Sequence, residues 1–163
     1  MSEIQGLVIR EAAHDDIPMI LTLIKELAEY EKLTHTLEAT EQSLGEVLFG
    51  QNPAAEALVA FYDGQPAAYA IFFHSMSTFL GRAGLYLEDI YVRPQLRGKG
   101  IGKAMFKMVA SIAEKRNCGR MEWQVLRWNQ PAIDFYEAHG AEPLDGWLTM
   151  RLTSEAISRV AKE

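Results

Sequence analysis

Two adjacent carboxylates, Glu88 and Asp89, lie inside a run that reads as a β-strand, Leu85-Tyr-Leu-Glu-Asp-Ile-Tyr-Val92. Aromatic and branched residues suit a buried strand, so acids within it need a reason. A carboxylate held there can take a proton from a reacting group. Arg93-Pro94 ends the strand, because proline cannot donate to a ladder. Gly98, Gly100 and Gly102 then alternate with Lys99, Ile101 and Lys103. Glycines at that density let backbone N–H groups approach a ligand, and a helix starting there adds its positive end. Together these residues describe an anion cradle at a helix N-terminus, fed by a strand carrying acids. Such a site can hold a pyrophosphate and move protons beside it.

The loop is neither of the two commonest phosphate binders. A Walker loop needs glycine where Arg97 stands and Ser or Thr where Ala104 stands. The Rossmann pattern spaces its third glycine differently.

The elements that must position this loop can be placed from pattern. Strict alternation puts Leu85, Leu87, Asp89 and Tyr91 on one strand face and Tyr86, Glu88, Ile90 and Val92 on the other. Downstream a helix is predicted from Ile101 to about Arg116, stopped by Asn117 and Gly119. Upstream, Leu7–Arg10 reads as a short strand. Asp15 or Asp16 then caps a helix with Pro18 in its first turn and a stripe of Ile17, Ile20, Leu21, Ile24, Leu27 and Ala28. A shorter helix spans Thr40–Phe49. Glu56–Tyr62, Asp63-Gly64 and Pro66–His74 give a hairpin signal. Ser75–Gly84 reads as a loop and Met121–Leu126 as a strand. Asn129 caps a helix with Pro131 early in it and Gly140 at its end. Trp147–Leu152 is read as a last strand, and Ser154–Lys162 as a tail helix.

Length and charge bound the possibilities. The chain has 163 residues and a formal net charge of −6, which suits a single domain over 1–163. An acidic balance argues against a nucleic-acid footprint and fits a cationic partner as well as it fits simple solubility. The lone Cys118 excludes an internal disulfide framework and suits a reducing compartment. No export signal or apolar run of the ~20 residues that span a bilayer is evident, so the expectation is a cytoplasmic protein without membrane contact. His14, His35, His74 and His139 show no ligand spacing, so no metal is expected.

Arg97-x-x-Gly100-x-Gly102, following Val92-Arg93-Pro94, resembles the acetyl-CoA signature of the GNAT N-acetyltransferase superfamily. Trp128-Asn-Gln-Pro-Ala-Ile-Asp-Phe-Tyr-Glu-Ala-His-Gly140 resembles its second CoA-side motif. Leu23–Glu31, Leu85–Asp89 and Trp128-Asn129 are similar to the diamine (spermidine/spermine) acetyltransferase branch. The resemblance implies an α/β fold of the GNAT type, with a mixed, mostly antiparallel central sheet flanked by helices on both faces. It also implies acetyl-CoA as co-substrate, a small cationic amine as acceptor, and a homodimer.

Carried over by position, the resemblance puts the cofactor against Ile90, Tyr91, Val92, Arg97, Gly98, Lys99, Gly100, Ile101, Gly102 and Lys103. It adds Asn129, Pro131, Ala132 and Tyr136 from the second motif. Tyr30 and Glu31 come to lie beside the amine, and Asp145 falls where the diamine branch carries an acid. Glu122 joins Glu31, Glu88 and Asp145 as a candidate wall of an acidic cleft, although that branch is not always acidic there.

The chemistry assigns roles. A free alkyl amine titrates near ~10.4, so only about one molecule in a thousand is neutral at pH 7. Glu88 is the candidate to receive or relay its proton, with Asp89 second. A thiol titrates near ~8.5 and a phenol near ~10, so Tyr136 suits the protonation of a departing thiolate. Backbone N–H groups near Tyr91 or Val92, at a bulge expected there, would stabilise an oxyanion. With no activated nucleophile in view, attack would be direct. The acceptor stays open between diamines or polyamines, thialysine-like amino acids, aminoglycosides and peptides, as does a CoA-binding module without turnover.

Overall fold

The computed structural model describes residues 4–163. It divides into two compact units, one up to Gln124 and one from Val125 to Glu163.

The first unit is built on a five-stranded sheet. Its strands are β1 (Leu7–Glu11), β2 (Glu56–Tyr62), β3 (Gln65–Ser77), β4 (Arg82–Val92) and β5 (Met121–Trp123), neighbours in that order. Every pair is antiparallel except β4 with β5. Asp63 and Gly64 take φ of 49° and 75° at the β2–β3 turn, the conformation that matches the twist of a two-residue hairpin. Helices α1 (Ile17–Glu31) and α2 (Glu41–Phe49) pack on one face, and α3 (Ile101–Lys115) on the other. The mixed, mostly antiparallel sheet with helices on both faces is the architecture expected.

Each face has its own core. Ile101, Met105, Val109 and Ala113 form a stripe of α3 that is buried against Leu58, Ala70, Leu85 and Leu87. Their fourfold spacing is one helical face, and each large side chain buried there contributes roughly 1.5–3 kcal/mol. On the opposite side, Ile20 and Leu23 of α1 and Leu48 of α2 close over Val59, Tyr69, Ile71 and Tyr91.

Several boundaries differ from expectation. The segment read as a loop over Ser75–Gly84 is largely ladder, since Ser75 pairs Gly84 and Ser77 pairs Arg82. Gly84 lets the strands approach closely there: a Cβ would stand 2.6 Å from Ser75 Oγ, which would have to turn away. β5 stops at Trp123, because its pairing with β4 ends at Leu87. Asp16 holds the N-cap position of α1, yet its carboxylate does not cap. It accepts from both terminal nitrogens of Arg10, at 2.6 and 2.8 Å, and from the Ala13 N–H at 2.7 Å.

The second unit carries α4 (Gln130–Glu137) and α5 (Ser154–Val160). Trp147–Leu152, expected as a strand, forms none. An apolar alternating run needs a ladder partner to become a strand, and none pairs with it among the described residues. Leu148 and Met150 are each 86% exposed.

Candidate active site

The acids of β4 are positioned by a break in its pairing. Leu87 pairs Phe72 and Asp89 pairs Ile71, so Glu88 is an extra residue on its strand, a β-bulge. One extra residue reverses the side-chain parity beyond it. Leu85 and Leu87 therefore share the α3 face with Ile90 and Val92, whereas Tyr91 lies on the α1 face. Asp89, paired with Ile71 of that second face, is separated from Leu85 and Leu87. The simple alternation expected for β4 is corrected by this bulge, which lies upstream of the Tyr91–Val92 position foreseen for it.

Glu88 is exposed. Asp89 is half-buried and takes a hydrogen bond from the Tyr69 hydroxyl, 3.0 Å from its Oδ2. Burial pushes the Asp89 carboxyl up to about 6; the Tyr69 hydrogen bond opposes the shift, and the negative charges of Glu88 and Glu31 add to it. Burial also raises Glu31, at the end of α1. Glu31, Glu88 and Asp89 thus form an acidic neighbourhood in which a cation would be stabilised. Sequence reasoning missed Tyr69. Only the register that brings β3 beside the bulge reveals its relation to Asp89.

The bulge also opens an edge. β4 pairs β5 only over Leu85–Leu87, so the backbone of Glu88, Asp89, Ile90, Tyr91 and Val92 has no strand partner on that side among the described residues. An extended ligand with amide groups can pair with such an edge.

The glycine loop follows directly. Gly98 and Gly100 have φ of 77° and 84°, and Gly100 is the N-cap of α3. A Cβ at Gly98 would meet nothing within 4 Å, so the loop presents open backbone. The N–H groups of Ile101, Gly102 and Lys103 have no acceptor within their own helix. Arg97, Lys99 and Lys103 are exposed around them. These residues fit a pyrophosphate group, with N–H donors, a helix N-terminus and three cationic side chains.

Arg97 bridges two expectations. Its Nε donates to the Val92 carbonyl at 3.0 Å, and its guanidinium lies 4.5 Å from the Tyr30 ring centroid and 5.7 Å from that of Tyr91. A cleft of about 410 Å³ beside it is lined by Glu26, Glu29, Tyr30, Tyr91, Arg93, Pro94 and Gln95. Within it, Arg93 neutralises Glu26, with Nη2 to Oε1 at 2.7 Å.

Glu122 of β5 pairs in register with Tyr86, and its Oε2 is bound by Arg120 Nε at 2.8 Å. Its charge is therefore matched by the residue that immediately precedes the strand. In the second unit, Asn129 is the N-cap of α4 and its backbone carbonyl receives the Ile133 N–H at 3.1 Å, while its side chain does not cap the helix. Pro131 lies in the first turn, Ala132 follows it, and half-buried Tyr136 lies in the last turn. Asp145 is exposed in an irregular segment. Among the described residues, no group of three or more His, Cys, Asp or Glu side chains is placed to hold a metal ion. No helix is long and apolar enough to cross a membrane.

The Acetyltransferase (GNAT) family model matches residues 19–141, a span that includes both the glycine loop and α4. The chain belongs to this family. It is an acetyl-CoA-dependent N-acetyltransferase. Among its GNAT relatives, the thialysine N-epsilon-acetyltransferase of Bos taurus is 41% identical over 165 residues, covering 94% of this chain and 96% of that protein. The spermidine/spermine N(1)-acetyltransferase-like protein 1 of Homo sapiens is 35% identical over 165 residues, covering 95% of this chain but 24% of that longer protein. In fold, an integron cassette protein from the mobile metagenome of V. cholerae superposes with a TM-score of 0.79 at 24% identity, covering 98% of this chain and 99% of that one.

Proposed function

We propose that this GNAT enzyme acetylates the terminal primary amine of a small cationic acceptor, a thialysine-like amino acid or a di- or polyamine, by direct attack on the thioester. The observation that carries this reading is the bulge at Glu88. On a single strand it joins an acidic neighbourhood of Glu31, Glu88 and Asp89 to an open backbone edge and an anion-binding loop. Thialysine, the named acceptor of one relative, and the likeness of the other to spermidine/spermine acetyltransferases by its name support the same class of amine.

In this reading Tyr30, Glu31 and Asp89 hold the cationic acceptor, and Glu88 receives the amine's proton directly or through water. Glu122 and Asp145 are assigned to the acceptor side as well, Glu122 with its charge already matched by Arg120. Residues Arg97 to Lys103 hold the pyrophosphate, and the edge from Ile90 to Val92 pairs with the amide arm of the co-substrate. Asn129, Pro131 and Ala132 complete the cofactor side, and Tyr136 gives its proton to the departing thiolate. Residues 1–163 act as one catalytic domain, an assignment supported by the family match across both units. The exposed apolar run Trp147, Leu148, Met150 and Leu152 supports a homodimer, and the unpaired Cys118 suits the cytoplasm.

The test is thiol release from acetyl-CoA across a panel of thialysine, lysine, putrescine, spermidine, an aminoglycoside and a basic peptide, for the native chain and E88Q. Turnover confined to the small amines, and lowered by E88Q at least tenfold, is the expected result. Preference for the peptide, or no turnover on any amine despite acetyl-CoA binding, would overturn the reading.

A further inference from the structure

We propose that Tyr69 is a positioning residue for acetyl transfer, acting through Asp89: its buried hydroxyl fixes which oxygen of that carboxylate is turned toward the amine. The inference rests on Asp89 belonging to the acceptor site.

Tyr69 is fully buried in the middle of β3, in the core beneath α1. A buried phenol costs free energy unless its hydroxyl finds a partner, and phenylalanine would fill the same space without that cost. The partner is Asp89 Oδ2, at 3.0 Å. The contact is diagonal across the ladder: Asp89 pairs Ile71, and Tyr69 stands two residues along β3 on the same face. It exists only because the bulge at Glu88 reverses the parity of β4. In an unbroken ladder Glu88 would stand opposite Ile71 and Asp89 would share the face of Leu87, so the bulge selects Asp89 as the acid that Tyr69 meets. Bulge, phenol and carboxylate therefore form one device.

Tyr69 is the sole hydrogen-bond donor to the Asp89 side chain among the described residues. With Oδ2 so engaged, Oδ1 is the oxygen left to meet an ammonium group. The other titratable groups acting on the pair are Glu88 and Tyr91 from β4 itself and Glu31 from α1. Both flanking acids are negative. The Tyr69 hydroxyl is the one neighbour that favours an ionised Asp89, against burial and two like charges. Removing it should leave the carboxyl protonated to higher pH and free to rotate.

The experiment compares the native enzyme, Y69F, D89N and Y69F/D89N by two readouts. One is the titration of the Asp89 carboxyl carbon by NMR. The other is the pH profile of acceptor kcat/KM, with thermal unfolding to establish that Y69F is folded. The expected result is that Y69F raises the Asp89 midpoint by about one pH unit. The acid limb of kcat/KM should move by the same amount, with the high-pH plateau retained within about threefold, and Y69F should add nothing in the D89N background. An unmoved NMR midpoint, or a loss of kcat/KM equal at every pH, would overturn the inference. A moved midpoint with an unmoved kinetic limb would instead remove Asp89 from the acceptor site, and with it the reading on which the inference rests.

Discussion

Arg97 lies over the ring of Tyr30, with its guanidinium carbon 4.5 Å from the ring centroid, so the glycine loop is tied to the last turn of α1. One residue thereby touches both the loop proposed to bind the pyrophosphate and the helix end proposed to face the acceptor. An Arg–phosphate contact is charge-assisted, and losing one such bond costs about 1.5–3 kcal/mol. R97A is expected to weaken acetyl-CoA binding about 10- to 100-fold. Y30L, which leaves the guanidinium in place, is expected to change acetyl-CoA affinity less than threefold while raising the KM for the amine. Isothermal titration with CoA and initial rates across amine concentration separate the two effects.

Asp89 predicts a pH dependence with a definite sign. Its folded pKa of about 6 lies above the ordinary value of 3.8, so the native state binds the extra proton. Stability is therefore lost as pH rises from about 4 through about 6. D89N removes the cost of a buried charge, and should unfold at higher urea at pH 8 by an amount on the order of 1–3 kcal/mol, with the gain vanishing near pH 4. Activity runs the other way. In the proposed site an ionised Asp89 holds the ammonium group, so acceptor kcat/KM should fall about tenfold per pH unit below about 6. A D89N enzyme that is more stable and less active at pH 8 is the combined expectation.

What the sequence made legible follows the range of the forces involved. The Asp63-Gly64 turn, the α3 stripe and the glycine loop are local patterns, decided by backbone freedom and helical spacing within a few residues. The bulge at Glu88 is decided by how β3 pairs with β4, and no residue within β4 announces it. Simple alternation consequently groups Asp89 with Leu85 and Leu87, and it gives no sign of Tyr69, twenty positions away. The meeting of Arg97 with Tyr30 is likewise a product of tertiary packing. Trp147–Leu152 shows the opposite limit: an alternating apolar pattern announces a strand, but a ladder partner must be present to make one.

Asp16 offers a stability test outside the site. Its carboxyl is 8% exposed as a residue and holds Arg10 through two bonds and the Ala13 N–H through a third. The Arg10 hydrogen bonds hold its pKa below the ordinary 3.8, against the opposing effect of burial. A depressed folded pKa contributes stability above the unfolded value, lost as pH falls through the folded one. D16A leaves the Ala13 N–H and the Arg10 guanidinium without this partner, and is expected to cost about 2 kcal/mol at pH 7. The difference between D16A and the native chain in urea unfolding should narrow steadily below pH 4. A constant difference down to pH 2 would assign the loss to packing instead.

Tyr136 tests the leaving-group half of the reaction. It lies in the last turn of α4, half-buried, with its ring edge-on to Phe135 at a centroid distance of 5.3 Å. Y136F keeps the ring and removes the hydroxyl proposed as the proton donor. A positioned general acid contributes roughly 10²–10⁴ in rate, so kcat should fall by at least about 100-fold while CoA affinity stays within about threefold. The same variant should respond more to leaving-group acidity than the native enzyme does. An acyl donor whose thiol is more acidic than that of CoA leaves without help, so its use would narrow the gap between Y136F and the native enzyme. A gap that stays the same with that donor would assign Tyr136 to holding the co-substrate, and the proton would then have to come from water.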